Sequence, residues 1–218
     1  MKVRELDYSS RKIIPLFPNL LYQDNKTKGF DDVRDGLIEY AYKQKEEDDI
    51  NQVVSNRGGW QTPTSKMRFY NQEPFQPYMN WFGNRIKEYL DHMDFNMTSG
   101  RDIFLSSMWF NINGKDTYNI SHHHPTATIA GVLWIKAPKN CGLLYFESPH
   151  EFAEYDLMSM QKKEMVDQYL ACANYNIVPK EGLMILFPSH LRHGVEMNQS
   201  DEDRISLAFN IEFRPINE

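Results

Sequence analysis

The sequence predicts a mainly β fold with flanking α-helices: a sandwich or barrel of short strands, with N-terminal helices packed on one sheet. Two observations predict it. After about residue 102 the chain breaks into short runs of strand-type residues separated by Gly, Pro and Asn, and before that point two segments carry a helical period. With 218 residues, 41% of them hydrophobic, the chain can bury a core of its own. We read it as one domain over 1–218, with a helical N-terminal part over 1–100 and the β core over 101–218.

The helices come first. Over 30–48, Phe30, Val33, Leu37 and Tyr40 or Ala41 recur at helical spacing, with acidic residues in the opening turn and lysines near the end, as the helix dipole favours. Over 78–93, Tyr78, Phe82, Ile86, Tyr89, Leu90 and Met93 share one face. Between them, residues 55–63 contain paired glycines and read as a loop.

Strands are predicted over 102–113, 126–137, 142–148, 174–179, 182–188 and 204–213. The polar stretch 149–168 is a long insertion, partly helical, either a lid or a connection. In the last strand, Ile205, Leu207, Phe209 and Ile211 alternate with Arg204, Ser206, Ala208 and Asn210, so one face is apolar and the other polar. If the helices cover the apolar face, Arg204 and Ser206 point into the interior. A buried arginine needs an anionic partner, and a bound carboxylate is one candidate; a solvated surface arginine is the other reading.

Six of the seven histidines fall between His122 and His193. In an extended run His122 and His124 project to one side and His123 to the other, which makes a chelating pair or a local polar decoration. His190 and His193 follow an apolar strand, and His190 reads as a turn residue. Trp109 and Asn111 share one strand face near this region.

Other classes are disfavoured. A net charge of −6 and a pI near 5.7 argue against nucleic-acid binding. No apolar run reaches the roughly 20 residues of a membrane span, and residues 1–17 lack the apolar core of a signal peptide. No membrane partner is expected, and the expected location is the cytoplasm, that of the host if the gene is carried by a phage. Cys141 and Cys172 read as ordinary reduced cysteines.

The series "NISHHHP", "GVLWIKAP", "GLLYFESP", "GLMILFPSHLRHGV" and "RISLAFN" resembles the iron(II)- and 2-oxoglutarate-dependent oxygenases, in particular the bacterial and phage group of small members with a histidine-rich proximal motif. The fragments "LFPNLLY" and "SNRGGWQT" also fit that group. The resemblance implies a double-stranded β-helix (jelly roll), Fe(II) as the metal, 2-oxoglutarate as cosubstrate and ascorbate as an assisting reductant. It implies His122 and His193 as catalytic metal ligands, and Arg204, eleven positions after His193, with Ser206 as the clamp on the far carboxylate of 2-oxoglutarate. Apolar neighbours such as Leu133, Ile135 and Leu186 are expected to keep water from the site. The sequence departs from the family where its proximal motif normally carries Asp or Glu. His124 in that place, water, or Glu147 from a neighbouring strand are the three readings of the remaining ligand. The reaction implied is hydroxylation of an unknown substrate, a peptidyl side chain by analogy. A non-catalytic jelly-roll module and a three-histidine cupin-like dioxygenase without 2-oxoglutarate are the competing classes.

Overall fold

The computed structural model describes residues 18–50, 52–95, 100–150, 156, 159–170 and 172–216. Residues 1–17, read above for their lack of a leader, lie outside the described residues, as do the first two of "LFPNLLY".

Two antiparallel sheets face each other. The larger has the order β1 (Tyr22–Asp24), β9 (Met184–Pro188), β6 (Ile129–Lys136), β11 (Arg204–Pro215), β4 (Arg101–Asn113) and β3 (Trp60–Gln61). The smaller has the order β2 (Asn56–Arg57), β5 (Tyr118–His122), β10 (His193–Val195), β7 (Leu144–Glu147) and β8 (Asn174–Ile177). This is the jelly-roll arrangement of two facing sheets, and the sheets do not close into a barrel.

The helices α1 (Phe30–Glu46) and α2 (Gln76–His92) cover the outer face of the larger sheet. Asp31 and Asp32 occupy the first turn of α1, Lys43 and Lys45 the last, and both ends suit the helix dipole. Phe30, Leu37 and Ala41 of α1 and Phe82, Tyr89 and Leu90 of α2 form one core with Phe110 of β4, Leu133 of β6 and Ile205, Leu207 and Phe209 of β11. A short helix α3 (Lys163–Tyr169) lies within the expected insertion.

Two expectations change. Residues 55–63 are not simply a loop: β2 joins β5 in the smaller sheet, β3 joins β4 in the larger, and Gly58 and Gly59 connect them. Gly58 adopts φ +77°, a conformation open to glycine, and a Cβ on Gly59 would sit 2.7 Å from the Ile112 carbonyl oxygen. Leu133, Ile135 and Leu186 belong to the helix-covered core and do not face the space between the sheets. Their strands are apolar on both faces, so composition alone does not distinguish inside from outside.

Candidate metal centre and carboxylate pocket

The inner face of β11 is the floor of a cavity between the sheets. Arg204, Ser206 and Ala208 line it, while Ile205, Leu207 and Phe209 turn to the helices, as strand alternation requires. Register sets the neighbours. Ser206 lies opposite Asn111 of β4 and Trp134 of β6, and Ala208 opposite Trp109 and Val132; all four line the same cavity. Phe187 of β9 adds an aromatic wall. The cavity volume is about 50 Å³, several times the ~10–15 Å³ that one water needs.

The smaller sheet supplies the opposite wall and the histidines. His193 of β10 stands directly across from His122, the last residue of β5. His124 lies just beyond the strand, where its N–H donates to the Ser189 carbonyl at 3.0 Å and holds the turn against the β9–β10 connection. His122 and His124 line the cavity and His123 is exposed, the alternation expected from sequence. One nitrogen from each of His122, His124 and His193 can be chosen so that all three lie within 4.8 Å of one another.

Local hydrogen bonds aim two of these rings. Nδ1 of His122 lies 2.7 Å from the Ile120 carbonyl and Nδ1 of His193 3.0 Å from the Leu191 carbonyl. A carbonyl only accepts, so each Nδ1 carries the proton and each Nε2 keeps its lone pair. Nε2 of His124 and Nε2 of His193 are 3.3 Å apart; two nitrogens bound side by side to one ion at about 2.1 Å would stand about 3.0–3.4 Å apart. Burial is the main cause that lowers the pKa of all three, to about 4 for His124 and about 3 for His193; neighbouring histidines add to it for His124 and His193, and Arg192 and His123 add to it for His122. All three are therefore neutral donors at pH 7. The donor set fits a divalent transition metal; imidazole suits iron, zinc, copper and nickel alike.

Arg204 is 2% exposed and has no ion pair among the described residues. Nη1 donates to the carbonyls of Cys141 and, at 3.2 Å, of Glu196, which fixes the guanidinium. Nη2 is buried without a partner. Burial lowers its pKa to about 10, so it stays charged at neutral pH. An unpaired, buried cationic donor on the cavity wall fits a carboxylate. Ser206, 8% exposed, adds a hydroxyl to the same wall.

The remaining candidates fall elsewhere. Glu147 pairs with Arg192 at 3.3 Å and does not line the cavity. Its neighbours Leu144 and Phe146 turn into the inter-sheet core, which leaves Glu147 on the other face of β7. His190 is exposed and contacts Asn19. Trp109, whose ring lies 5.6 Å from that of His124, and Asn111 do reach the site. Sequence reasoning did not anticipate Ser55, Asn119 or Trp134 as lining residues.

Residues 107–210 match the family described as "Putative 2OG-Fe(II) oxygenase". Three solved structures share the fold. A prolyl-4-hydroxylase of Pseudomonas putida has a TM-score of 0.56 at 15% identity, covering 89% of this chain and 92% of that chain. The α-ketoglutarate-dependent epimerase SnoN from nogalamycin biosynthesis has a TM-score of 0.59 at 9% identity, over 91% and 82%. HygX of Streptomyces hygroscopicus, with nickel and 2-oxoglutarate bound, has a TM-score of 0.55 at 10% identity, over 88% and 82%. No curated protein sequence matches the chain. The family match spans just under half of the chain, including most of the strands that build the cavity, and the three solved structures share the fold; in both respects the chain is similar to the 2-oxoglutarate- and Fe(II)-dependent oxygenases.

Proposed function

We propose that the protein is an Fe(II)- and 2-oxoglutarate-dependent dioxygenase that hydroxylates a peptidyl side chain, with release of succinate and CO2. One observation carries the reading: the unpartnered Nη2 of a buried arginine belongs to a residue that lines the same cavity as three neutral, closely spaced histidines. A three-histidine dioxygenase without 2-oxoglutarate has no use for that arginine.

His122, His124 and His193 hold the metal in this reading, and the Nδ1 hydrogen bonds of His122 and His193 keep their Nε2 atoms pointed at it. Arg204 holds the distal carboxylate of 2-oxoglutarate through Nη2, and Ser206 supplies a further hydrogen bond. Fe(II) with 2-oxoglutarate, when bound, supplies oxygen activation coupled to oxidative decarboxylation of the keto acid to succinate. Val132, Trp134 and Phe187 keep water out of the reaction space. The peptidyl substrate is supported by the fold shared with the Pseudomonas prolyl-4-hydroxylase; the same fold in an epimerase shows that the fold alone does not choose the reaction.

The test is succinate formation from 2-oxoglutarate with Fe(II), ascorbate and oxygen, with and without a peptide library screened for the mass gain of one oxygen atom. Succinate from the parent and none from His193→Ala supports the oxygenase. Succinate without oxygen gain on any peptide would remove the peptidyl substrate class.

A further inference from the structure

The cavity presents no negative charge of its own. Among the described residues that line it are three neutral histidines, Arg204 and Ser206, with no Asp or Glu. The nearby carboxylates are engaged elsewhere. Glu147 is held by Arg192, and the Glu196 side chain accepts from the Leu143 N–H at 3.2 Å while only its main-chain carbonyl reaches Arg204.

Charge bookkeeping then leaves a remainder. On the reading proposed above, a divalent cation adds two positive charges, Arg204 adds one and the cosubstrate dianion removes two. One positive charge stays uncompensated between the sheets. With a carboxylate in place of His124 the sum would be zero. An uncompensated buried charge is costly. Polar donors are at hand beyond the clamp: the Oδ1 of Asn111 lies 3.5 Å from Nδ2 of Asn56, which leaves the amide Nδ2 as the end of Asn111 that Asn56 does not engage.

We propose that the cavity, once loaded with metal and dicarboxylate, binds a compact monoanion beside them. Its source is either an acid group of the substrate next to the reacting carbon or a free inorganic anion. The proposal rests on the function proposed above and narrows its substrate class: a peptide whose reacting residue carries or adjoins a carboxylate fits this site better than a neutral one.

The test uses the full chain loaded with Ni(II) and 2-oxoglutarate in a chloride-free buffer, titrated calorimetrically with azide and, separately, with acetate. A Co(II)-loaded sample reports the same titrations through its visible spectrum. One equivalent of a probe is expected to bind, and His124→Asp is expected to weaken it by about tenfold or more while still binding 2-oxoglutarate. His124→Glu is the second variant should the first fold poorly, and the parent titration reads without either. Binding of acetate assigns the site to a substrate acid group, and binding of azide alone to an inorganic anion; each supports the proposal. Parent protein that takes 2-oxoglutarate but neither probe overturns it, as does equal probe affinity in parent and His124→Asp. Failure to bind 2-oxoglutarate at all overturns the assigned function and this proposal together, and the calorimetric trace separates that case from the others.

Discussion

His122 and His193 face each other across neighbouring antiparallel strands with ring centroids 4.4 Å apart, and each contacts through Nδ1 the carbonyl two residues earlier in its own chain. The two rings are thus oriented by the strands that carry them, before any metal arrives. His124 lies beyond the end of β5, where its main chain donates to the Ser189 carbonyl and accepts from the Ala127 N–H, and its ring lies against that of Trp109.

That asymmetry sorts the three histidines. Ala substitution at His122 or His193 is expected to lower Ni(II) or Fe(II) affinity by about 10–100-fold or more, measured by calorimetry on metal-free protein. The loss in His124→Ala is expected to be smaller. Parent-like affinity in both His122→Ala and His193→Ala would show that the metal binds elsewhere.

Arg204→Ala is expected to weaken 2-oxoglutarate binding by about 2–5 kcal/mol, because a buried charge-assisted contact is lost. Ser206→Ala is expected to cost about 0.5–1.5 kcal/mol, one neutral hydrogen bond. Nickel-loaded protein separates binding from turnover. Equal losses at the two positions would contradict a clamp built on the guanidinium.

The depressed histidine pKa values link stability to pH. In the unfolded chain His124 and His193 take up protons near pH 6.5; in the folded protein burial delays this to about 4 and about 3. Acidification therefore favours the unfolded state: the contribution of the neutral histidines is complete above about pH 6.5 and is lost progressively as pH falls toward their folded values, by up to about 1.4 kcal/mol per pH unit for each. The melting temperature of metal-free protein should fall from pH 6.5 to 5, before most carboxylates titrate, and His193→Asn should fall less steeply. Parallel curves for the two proteins would count against buried neutral histidines.

Gly131→Ala tests the outer face of the same sheet. A Cβ at Gly131 would lie 2.2 Å from the ring of Phe209, its partner across β6 and β11, and that ring is edge-on to Phe82 of α2 at 4.8 Å. Overpacking of this kind costs about 1–3 kcal/mol, to be read from denaturant unfolding. An unchanged midpoint would mean that Phe209 can move aside at no cost.

The two helices and the polar face of β11 were legible because each carries a period over enough residues to identify a face, and β4, β6, β7, β8 and β9 were legible as runs of strand-type residues between Gly, Pro and Asn. Arg204 and Ser206 came from that alternation, and the pairing of His122 with His124 from the same rule. β1, β2, β3 and β10, of two or three residues, are too short for any period to emerge, and the five residues of β5, apolar only at Tyr118 and Ile120, lack the strand-type run that marks β7 to β9. Ser55 and Asn119 went unnoticed as lining residues for this reason, since they sit beside β2 and within β5. Trp134 and Phe187 lie on strands apolar on both sides, and only the register of β6 with β11 and β9 shows which way they turn.

Gly58 and Gly59 tie β2 of one sheet to β3 of the other, so along that rim the sandwich is stitched shut by two residues of main chain. At the opposite rim the link is longer: residues 178–183 carry the chain from β8 to β9, the neighbour of β1. The shortest link between the sheets is therefore also the one with the least room: a side chain at Gly59 would run into the main chain of β4, so substitution there would strain the seam itself.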